Sequence, residues 1–281
     1  IIYNLMKRRS AILIITISVL LFLNASLFNQ HFVKIHFIDV GEGDAILIQY
    51  RGESMLIDSG TLLKGYEIVE YLRRQGVSTI NYLILTHPDL DHASGAFFIL
   101  PKFKVKNIYD NGQKLPEDNI IYRWYDELVR KSTGYAVLRK GERLKLKDIN
   151  LDVVWPPDAQ AGSFNENSLV IKLSLNNFNC LLAADLNKTS EEKLLRQGLD
   201  LKSNILKVGH HGRDDATSSE FLNSVSADVA VISTDYRKKG SLDLTLGALK
   251  KKDIKIYRTD TNGTIIVTVD NRGNYKIKTA R

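Results

Sequence analysis

Residues 80–92 read Ile80-Asn81-Tyr82-Leu83-Ile84-Leu85-Thr86-His87-Pro88-Asp89-Leu90-Asp91-His92. An apolar run of strand length, Ile80–Thr86, ends in four metal-capable side chains: His87, Asp89, Asp91 and His92. Packed into a core, such a cluster is costly without a cation. At a strand end, the loop leaves imidazoles and carboxylates free to turn inward onto one or two divalent ions. A solvated polar loop is the competing reading, and this stretch alone does not decide between them.

Two other apolar runs end in the same kind of residue. Leu181-Leu182-Ala183-Ala184-Asp185 ends in a carboxylate, and Leu206-Lys207-Val208-Gly209-His210-His211-Gly212 ends in paired imidazoles. Three strand ends that each deliver His or Asp point to one shared site. Taken singly, Asp185 also reads as the N-cap of a helix starting near Thr189. The lone cysteine, Cys180, excludes a disulfide within the chain and any Cys-based cage, so the donors must be His and Asp.

Outward from these motifs the pattern is α/β. Strands are expected at Val33–Val40, Ala45–Tyr50 and Ser54–Asp58, then a helix over Lys64–Gln75 ended by Gly76. After the motif come a helix following His92, a strand at Val105–Tyr109, a helix around 117–131 and β runs at Arg143–Trp155, Ser168–Leu175 and Phe178–Ala184. Helices at Thr189–Gln197, Ser218–Val225 and Leu242–Lys251 then alternate with strands at Asn204–Val208, Asp228–Ser233 and Ile254–Tyr257, before a hairpin across Asn271-Arg272-Gly273. No repeat and no Pro/Gly/Ser-rich linker divides this region, which predicts one domain over residues 31–281.

Residues 1–30 are different. From Ala11 to Phe28 there is no charge, and Lys7-Arg8-Arg9 stands directly before that run. This pattern fits a signal anchor or a cleavable signal peptide. The absence of a clear small-x-small cleavage site favours a single-pass anchor through residues 11–28, with secretion as the alternative. Under either reading the large domain is extracytoplasmic. Five residues precede Met6, which makes Met6 a candidate start or the chain a fragment. The net charge of +7 shrinks to +4 once Lys7, Arg8 and Arg9 are set aside, a bias compatible with an anionic substrate but not diagnostic of one.

Several segments together resemble the metallo-β-lactamase domain of the ComEC family of competence proteins. They are Phe37-Ile38-Asp39-Val40-Gly41-Glu42-Gly43-Asp44, Leu56-Ile57-Asp58-Ser59-Gly60, Thr86–His92, Asn167-Ser168-Leu169-Val170, Ala184-Asp185, Val208–Gly212 and Tyr257-Arg258-Thr259-Asp260-Thr261-Asn262-Gly263. The resemblance implies a four-layer αββα sandwich, here preceded by one N-terminal hydrophobic helix, and a dinuclear centre. His87 and Asp89 would serve one cation, Asp91 and His92 the other, with Asp185 bridging and His210 or His211 completing the second. Asp58 would orient a ligand, and Asp91 would hold or accept the proton of the attacking hydroxide. Asp89 stands where most of the superfamily has histidine, so Mn2+ rivals Zn2+. Asn167, Ser168 and Lys207 are candidate substrate contacts. Tyr109, Tyr122, Trp124 and Tyr125 are either base-stacking or packing residues.

The chain departs from the family at Ala184, where Gly is usual, at Arg213-Asp214-Asp215, where a serine is usual, and at Tyr236–Asp243, which lacks a family histidine. A single hydrophobic segment cannot form a pore, so the resemblance is to a stand-alone or truncated relative and does not bring DNA transport with it. The leading expectation is an extracytoplasmic phosphodiesterase or nuclease acting on DNA, with oligomeric state undetermined. A small-molecule hydrolase of lactones, β-lactams or phosphoesters is the alternative, and a non-catalytic metal- or nucleic-acid-binding domain is the third.

Overall fold

Alternation along the strands sorts the apolar side chains into three separate cores. Val33, Ile35 and Phe37 share one with Ile171, Leu173, Cys180, Leu182, Ile205 and Val231. Leu47, Leu56 and Leu83 turn the other way, onto Ile68, Val69 and Leu72 of the helix Gly65–Arg74. Leu181, Leu206 and Ala230 face Leu194, Phe221, Leu222 and Leu249 on the helices Lys188–Leu195, Ser219–Val225 and Asp243–Lys250. Three cores mean four layers, helix on sheet on sheet on helix. The computed structural model describes residues 32–116, 118–157, 162–235 and 242–281.

The first sheet begins with β1 (Val33–Phe37), β2 (Ile46–Tyr50), β3 (Glu53–Ile57), β4 (Thr79–Ile84), β5 (Lys104–Asp110) and β6 (Tyr135–Val137). The second holds β7 (Arg143–Leu146), β8 (Ile149–Trp155), β9 (Val170–Leu175), β10 (Phe178–Leu182), β11 (Ile205–Lys207), β12 (Val229–Ile232) and β13 (Lys255–Arg258). The hairpin β14 (Ile265–Val269) and β15 (Tyr275–Thr279) returns to the first sheet, pairing β14 antiparallel with β1. The orders are β15-β14-β1-β2-β3-β4-β5-β6 and β13-β12-β11-β10-β9-β8-β7.

Strands β3, β4 and β5 run parallel, as do β10, β11 and β12. Parallel neighbours end together, so the loops after β3, β4, β10 and β11 gather at one edge of the sandwich. There the sheets are stitched by Leu169 N donating to Thr86 O at 2.9 Å.

Local differences from the sequence reading have simple causes. The helix expected around 117–131 runs only over Ile120–Tyr125, capped by Asn119 accepting from Ile121 N, and then widens into a π-helical turn at Asp126–Arg130. The segment after His92 is two short turns, Leu90–Ala93 and Ala96–Ile99, the first starting inside the motif itself. Strand β6 has three residues, too few to show a period. Asp185 does not cap the next helix; Asn187 does, accepting from Ser190 N at 3.0 Å. The expected membrane segment at 11–28 and residues 236–241 of the divergent stretch lie outside the described residues. Among the described residues, no helix is long and apolar enough to cross a membrane.

Candidate metal centre

Backbone strain aims the side chains at this edge. Asp58, Ala184, His210 and His211 have φ of 57, 45, 44 and 54°, in the left-handed region that costs a residue with a Cβ about 1–2 kcal/mol. Each sits just after a strand, and the turn redirects the following donor into the gap between the sheets. Gly43 has φ +113°, and a Cβ there would meet Asp91 O at 2.2 Å. Only glycine lets the 41–44 loop close on the 87–92 loop, where Asp44 N donates to Asp91 O at 3.2 Å.

Four histidines share one arrangement of their ring nitrogens. His92 Nδ1 donates to Asp58 Oδ2 at 2.8 Å, His211 Nδ1 to Ser233 O at 3.1 Å and His210 Nδ1 to Asp215 Oδ1 at 2.7 Å. His87 Nδ1 lies 3.0 Å from Thr86 Oγ1, whose own proton goes to Asp58 Oδ2, so His87 donates there as well. All four partners act as acceptors, which fixes the proton on Nδ1 and turns four Nε2 atoms toward the same space.

The carboxylates meet them there. His92 Nε2 and His211 Nε2 lie 3.1 and 3.3 Å from Asp185 Oδ1, and His87 Nε2 and His210 Nε2 each lie 3.9 Å from Asp185 Oδ2. Asp185 therefore spans two half-sites. Asp89 Oδ2 is 3.6 Å from His87 Nε2 on one side, and Asp91 Oδ2 is 3.4 Å from His211 Nε2 on the other. Both histidines of the 210–211 pair thus face the centre, one on each side of Asp185. His210 Nε2 additionally receives Asn165 Nδ2 at 3.1 Å.

The described residues leave part of this convergence without a partner. His87 Nε2 and Asp185 Oδ1 are buried and have no hydrogen-bond partner. His92 Nε2 and His211 Nε2 face each other at 3.2 Å, a separation at which only one of them can carry a proton. Burial by itself would raise Asp185, yet the imidazoles of His211 and His92 hold it well below the usual carboxylate range. Burial likewise opposes charge on His211, but Asp185 and Asp91 lift it to about 9. The donor set fits divalent cations, whose charge would occupy the lone pairs that no proton can satisfy together.

The remaining expected residues fall behind this centre. Asp58 touches no open space; it accepts from Thr86 N at 2.7 Å, Thr86 Oγ1 and His92 Nδ1. Asn167, Ser168 and Lys207, read as substrate contacts, are 3, 0 and 0% exposed. Asn167 Nδ2 donates to Ser163 O, Ser168 Oγ accepts from Asp185 N, and Lys207 Nζ pairs with Asp44 Oδ2 at 2.7 Å. Their polar atoms build the wall of the site and do not face solvent.

Sequence reading missed Asp44, one of whose oxygens lies within 4.8 Å of donor atoms on His92, Asp185 and His211. The signal available was its place in Gly41-Glu42-Gly43-Asp44, a turn tight enough to bring it near the motif. Asn165 and Asp215 carried no signal, since only the fold brings them to His210.

A pocket of about 590 Å3 opens beside Asp91, lined by Leu62, Leu63, Leu90, Phe97, Phe98 and Trp124 among others. Trp124 is 58% exposed there and meets Phe97 edge-on at 6.1 Å. Tyr125, by contrast, is buried and donates to Asp110 Oδ2, so it packs the core.

This fold and donor geometry are those of the metallo-β-lactamase superfamily, and the chain belongs to it; the family model matches residues 38–235. More particularly, its relatives are ComEC-family competence proteins. ComE operon protein 3 of Bacillus subtilis is 28% identical, covering 92% of this chain and 35% of that protein. Competence protein ComA of Neisseria gonorrhoeae is 29% identical, covering 81% and 31%. The chain thus spans about a third of the length of these relatives. Among solved structures, CmlA, a diiron β-hydroxylase from Streptomyces venezuelae, shares the fold at 11% identity and TM-score 0.54, over 85% of this chain and 54% of that one. YhfI, a metallo-β-lactamase fold protein from Bacillus subtilis, does so at 12% and 0.51, over 87% and 99%.

Proposed function

We propose that this chain is a metal-dependent phosphodiesterase that cleaves single-stranded DNA on the extracytoplasmic side of a membrane spanned by residues 11–28. The observation that carries the reading is the set of four Nε2 atoms, each left without a proton by an accepting partner on Nδ1, that gather around Asp89, Asp91 and Asp185. When bound, two divalent cations, Zn2+ or Mn2+, would activate a water and take up charge on a phosphoryl oxygen. His87, Asp89, His210 and Asp185 Oδ2 would hold one; Asp91, His92, His211 and Asp185 Oδ1 the other. Asp58 keeps His92 in the donor orientation.

The chain's own groups then divide the work. The Asp91 side chain is 31% exposed and that of Asp89 33%, while Asp185 is buried, so Asp91, as the resemblance implies, is one of two carboxylates open to take a proton from an incoming water. Without a cation, its hydrogen bond with His211 and the neighbouring imidazoles already hold it below the usual carboxylate range despite burial. Beside it, Trp124 and Phe97 offer flat apolar surface on which an unpaired base can stack whatever its identity. The kinship with competence proteins supports DNA as the substrate. Membrane placement rests on the uncharged run at 11–28.

The same pocket favours a second reading, hydrolysis of a small apolar ester or lactone, since its size is that of small-molecule sites. The test incubates the purified chain with Mn2+ or Zn2+ and either labelled oligonucleotide or a lactone. Oligonucleotide cleavage that is lost in Asp89→Ala and His92→Ala supports the proposal. Metal-loaded protein that leaves DNA intact and opens the lactone overturns it.

A further inference from the structure

Asp44 and Lys207 form an ion pair between the two sheets, at 1 and 0% exposure. Asp44 comes from the loop after β1, and Lys207 ends β11. Lys207 Nζ lies 2.7 Å from Asp44 Oδ2 and donates to Val208 O at 3.0 Å. Asp44 Oδ1 is buried with no hydrogen-bond partner.

A buried ion pair is a poor stabiliser, because each charge must be desolvated, a cost that an apolar pair of the same volume does not carry. Leaving one carboxylate oxygen without a partner adds to that cost. A purely structural role accounts for neither cost. Both are accounted for if Oδ1 is kept for a ligand. One oxygen of Asp44 lies within 4.8 Å of donor atoms on His92, Asp185 and His211.

We infer that Asp44 is a further carboxylate donor of the metal centre and that Lys207 is its fixed counter-charge. This rests on the metal-centre reading and deepens it. Lys207 neutralises Asp44 when no cation is present, which lets the apo loop stay closed, and it leaves one oxygen free when a cation arrives. The added oxygen donor makes the half-site of Asp91, His92 and His211 harder, which favours Mn2+ over Zn2+.

The test uses the full chain with Asp44→Asn, Lys207→Met and the double variant, measuring Mn2+ and Zn2+ binding by calorimetry and melting with and without MnCl2. Asp44→Asn keeps a partner for Lys207, so it should fold; Mn2+ affinity is expected to fall about 10–100-fold, and Zn2+ affinity by less. Lys207→Met should lower the metal-free melting temperature, with Mn2+ restoring more of it than in the parent chain, and the double variant should recover metal-free stability. Parent-like Mn2+ affinity in Asp44→Asn overturns the donor role while leaving the centre intact. A Lys207→Met deficit that Mn2+ does not relieve overturns the counter-charge role. No cation binding by the parent chain overturns both the centre and this inference.

Discussion

His92 Nε2 and His211 Nε2, on residues 119 positions apart, face each other at 3.2 Å, with Asp185 Oδ1 within 3.3 Å of both. Each ring is held from behind, by Asp58 and by the Ser233 carbonyl, so neither can turn away without breaking that bond. Two lone pairs and a carboxylate oxygen forced together create a demand for positive charge, which a proton meets in part and a divalent cation meets more fully.

Proton and metal therefore compete at His211. Burial lowers its affinity for a proton, but Asp185 and Asp91 outweigh burial and raise its pKa from 6.5 to about 9. A raised folded pKa gives stability that is complete below pH 6.5 and lost as pH climbs through about 9. The metal-free protein should thus melt at a lower temperature at pH 9 than at 6.5. Metal affinity should rise over the same interval, with proton release seen by calorimetry in buffers of different ionisation enthalpy. Affinity that is flat across the interval would count against this competition.

His36 sets the opposite limb. Burial, aided by Lys34, depresses its pKa from 6.5 to about 4. Here stability is complete above pH 6.5 and lost as pH falls toward 4, because the unfolded chain takes up the proton first. The loss amounts to about 3 kcal/mol. Denaturant melts at pH 7 and pH 4 should show a smaller difference in His36→Gln than in the parent chain.

Asp58→Asn replaces one accepting oxygen with an amide donor, yet Asp58 accepts from Thr86 N, Thr86 Oγ1 and His92 Nδ1. With the amide in the Oδ2 position, Thr86 Oγ1 and His92 Nδ1 both lose their acceptor, and His92 loses its fixed orientation. Metal affinity should drop about 10–100-fold while circular dichroism stays that of the parent. Unchanged affinity would remove Asp58 from the centre.

Ala184 has φ +45°, in the left-handed region that glycine alone adopts without strain. Ala184→Gly removes the Cβ clash of the left-handed conformation. It should raise stability by roughly 0.5–1 kcal/mol, read as a higher denaturant midpoint, without changing metal stoichiometry.

Trp124→Ala strips the exposed ring from the pocket beside Asp91. If bases stack there, single-strand affinity should weaken by about 1–3 kcal/mol, from fivefold to over a hundredfold in Kd. Fluorescence anisotropy with mixed-sequence oligonucleotides measures it; a Kd within twofold of the parent chain would place the bases elsewhere.

Much of the site was legible in the sequence because the donors sit at strand ends, where an apolar run visibly stops in His or Asp. The order β-strand, His87–His92, β-strand, Asp185, β-strand, His210-His211 survives translation into structure because each donor is placed by its own strand. The helix at Gly65–Arg74 was equally legible, its buried stripe of Ile68, Val69 and Leu72 facing the sheet. What the pattern left open was local. Asn187, not Asp185, caps the following helix, and Asn167, Ser168 and Lys207 prove buried, since nothing in a strand's sequence tells which side its polar residues will find covered.

By itself, the sequence determined which residue types stand at the ends of which strands, and through them the superfamily and the oxygen-rich character of the centre. Only the tertiary structure decided direction. It assigned His210 and His211 to opposite sides of Asp185, turned each Nε2 inward through a partner on Nδ1, and brought Asp44 against Lys207. The reason is that a side chain's aim depends on left-handed turns and on hydrogen bonds between distant residues, and neither is written in the local pattern of apolar and polar positions.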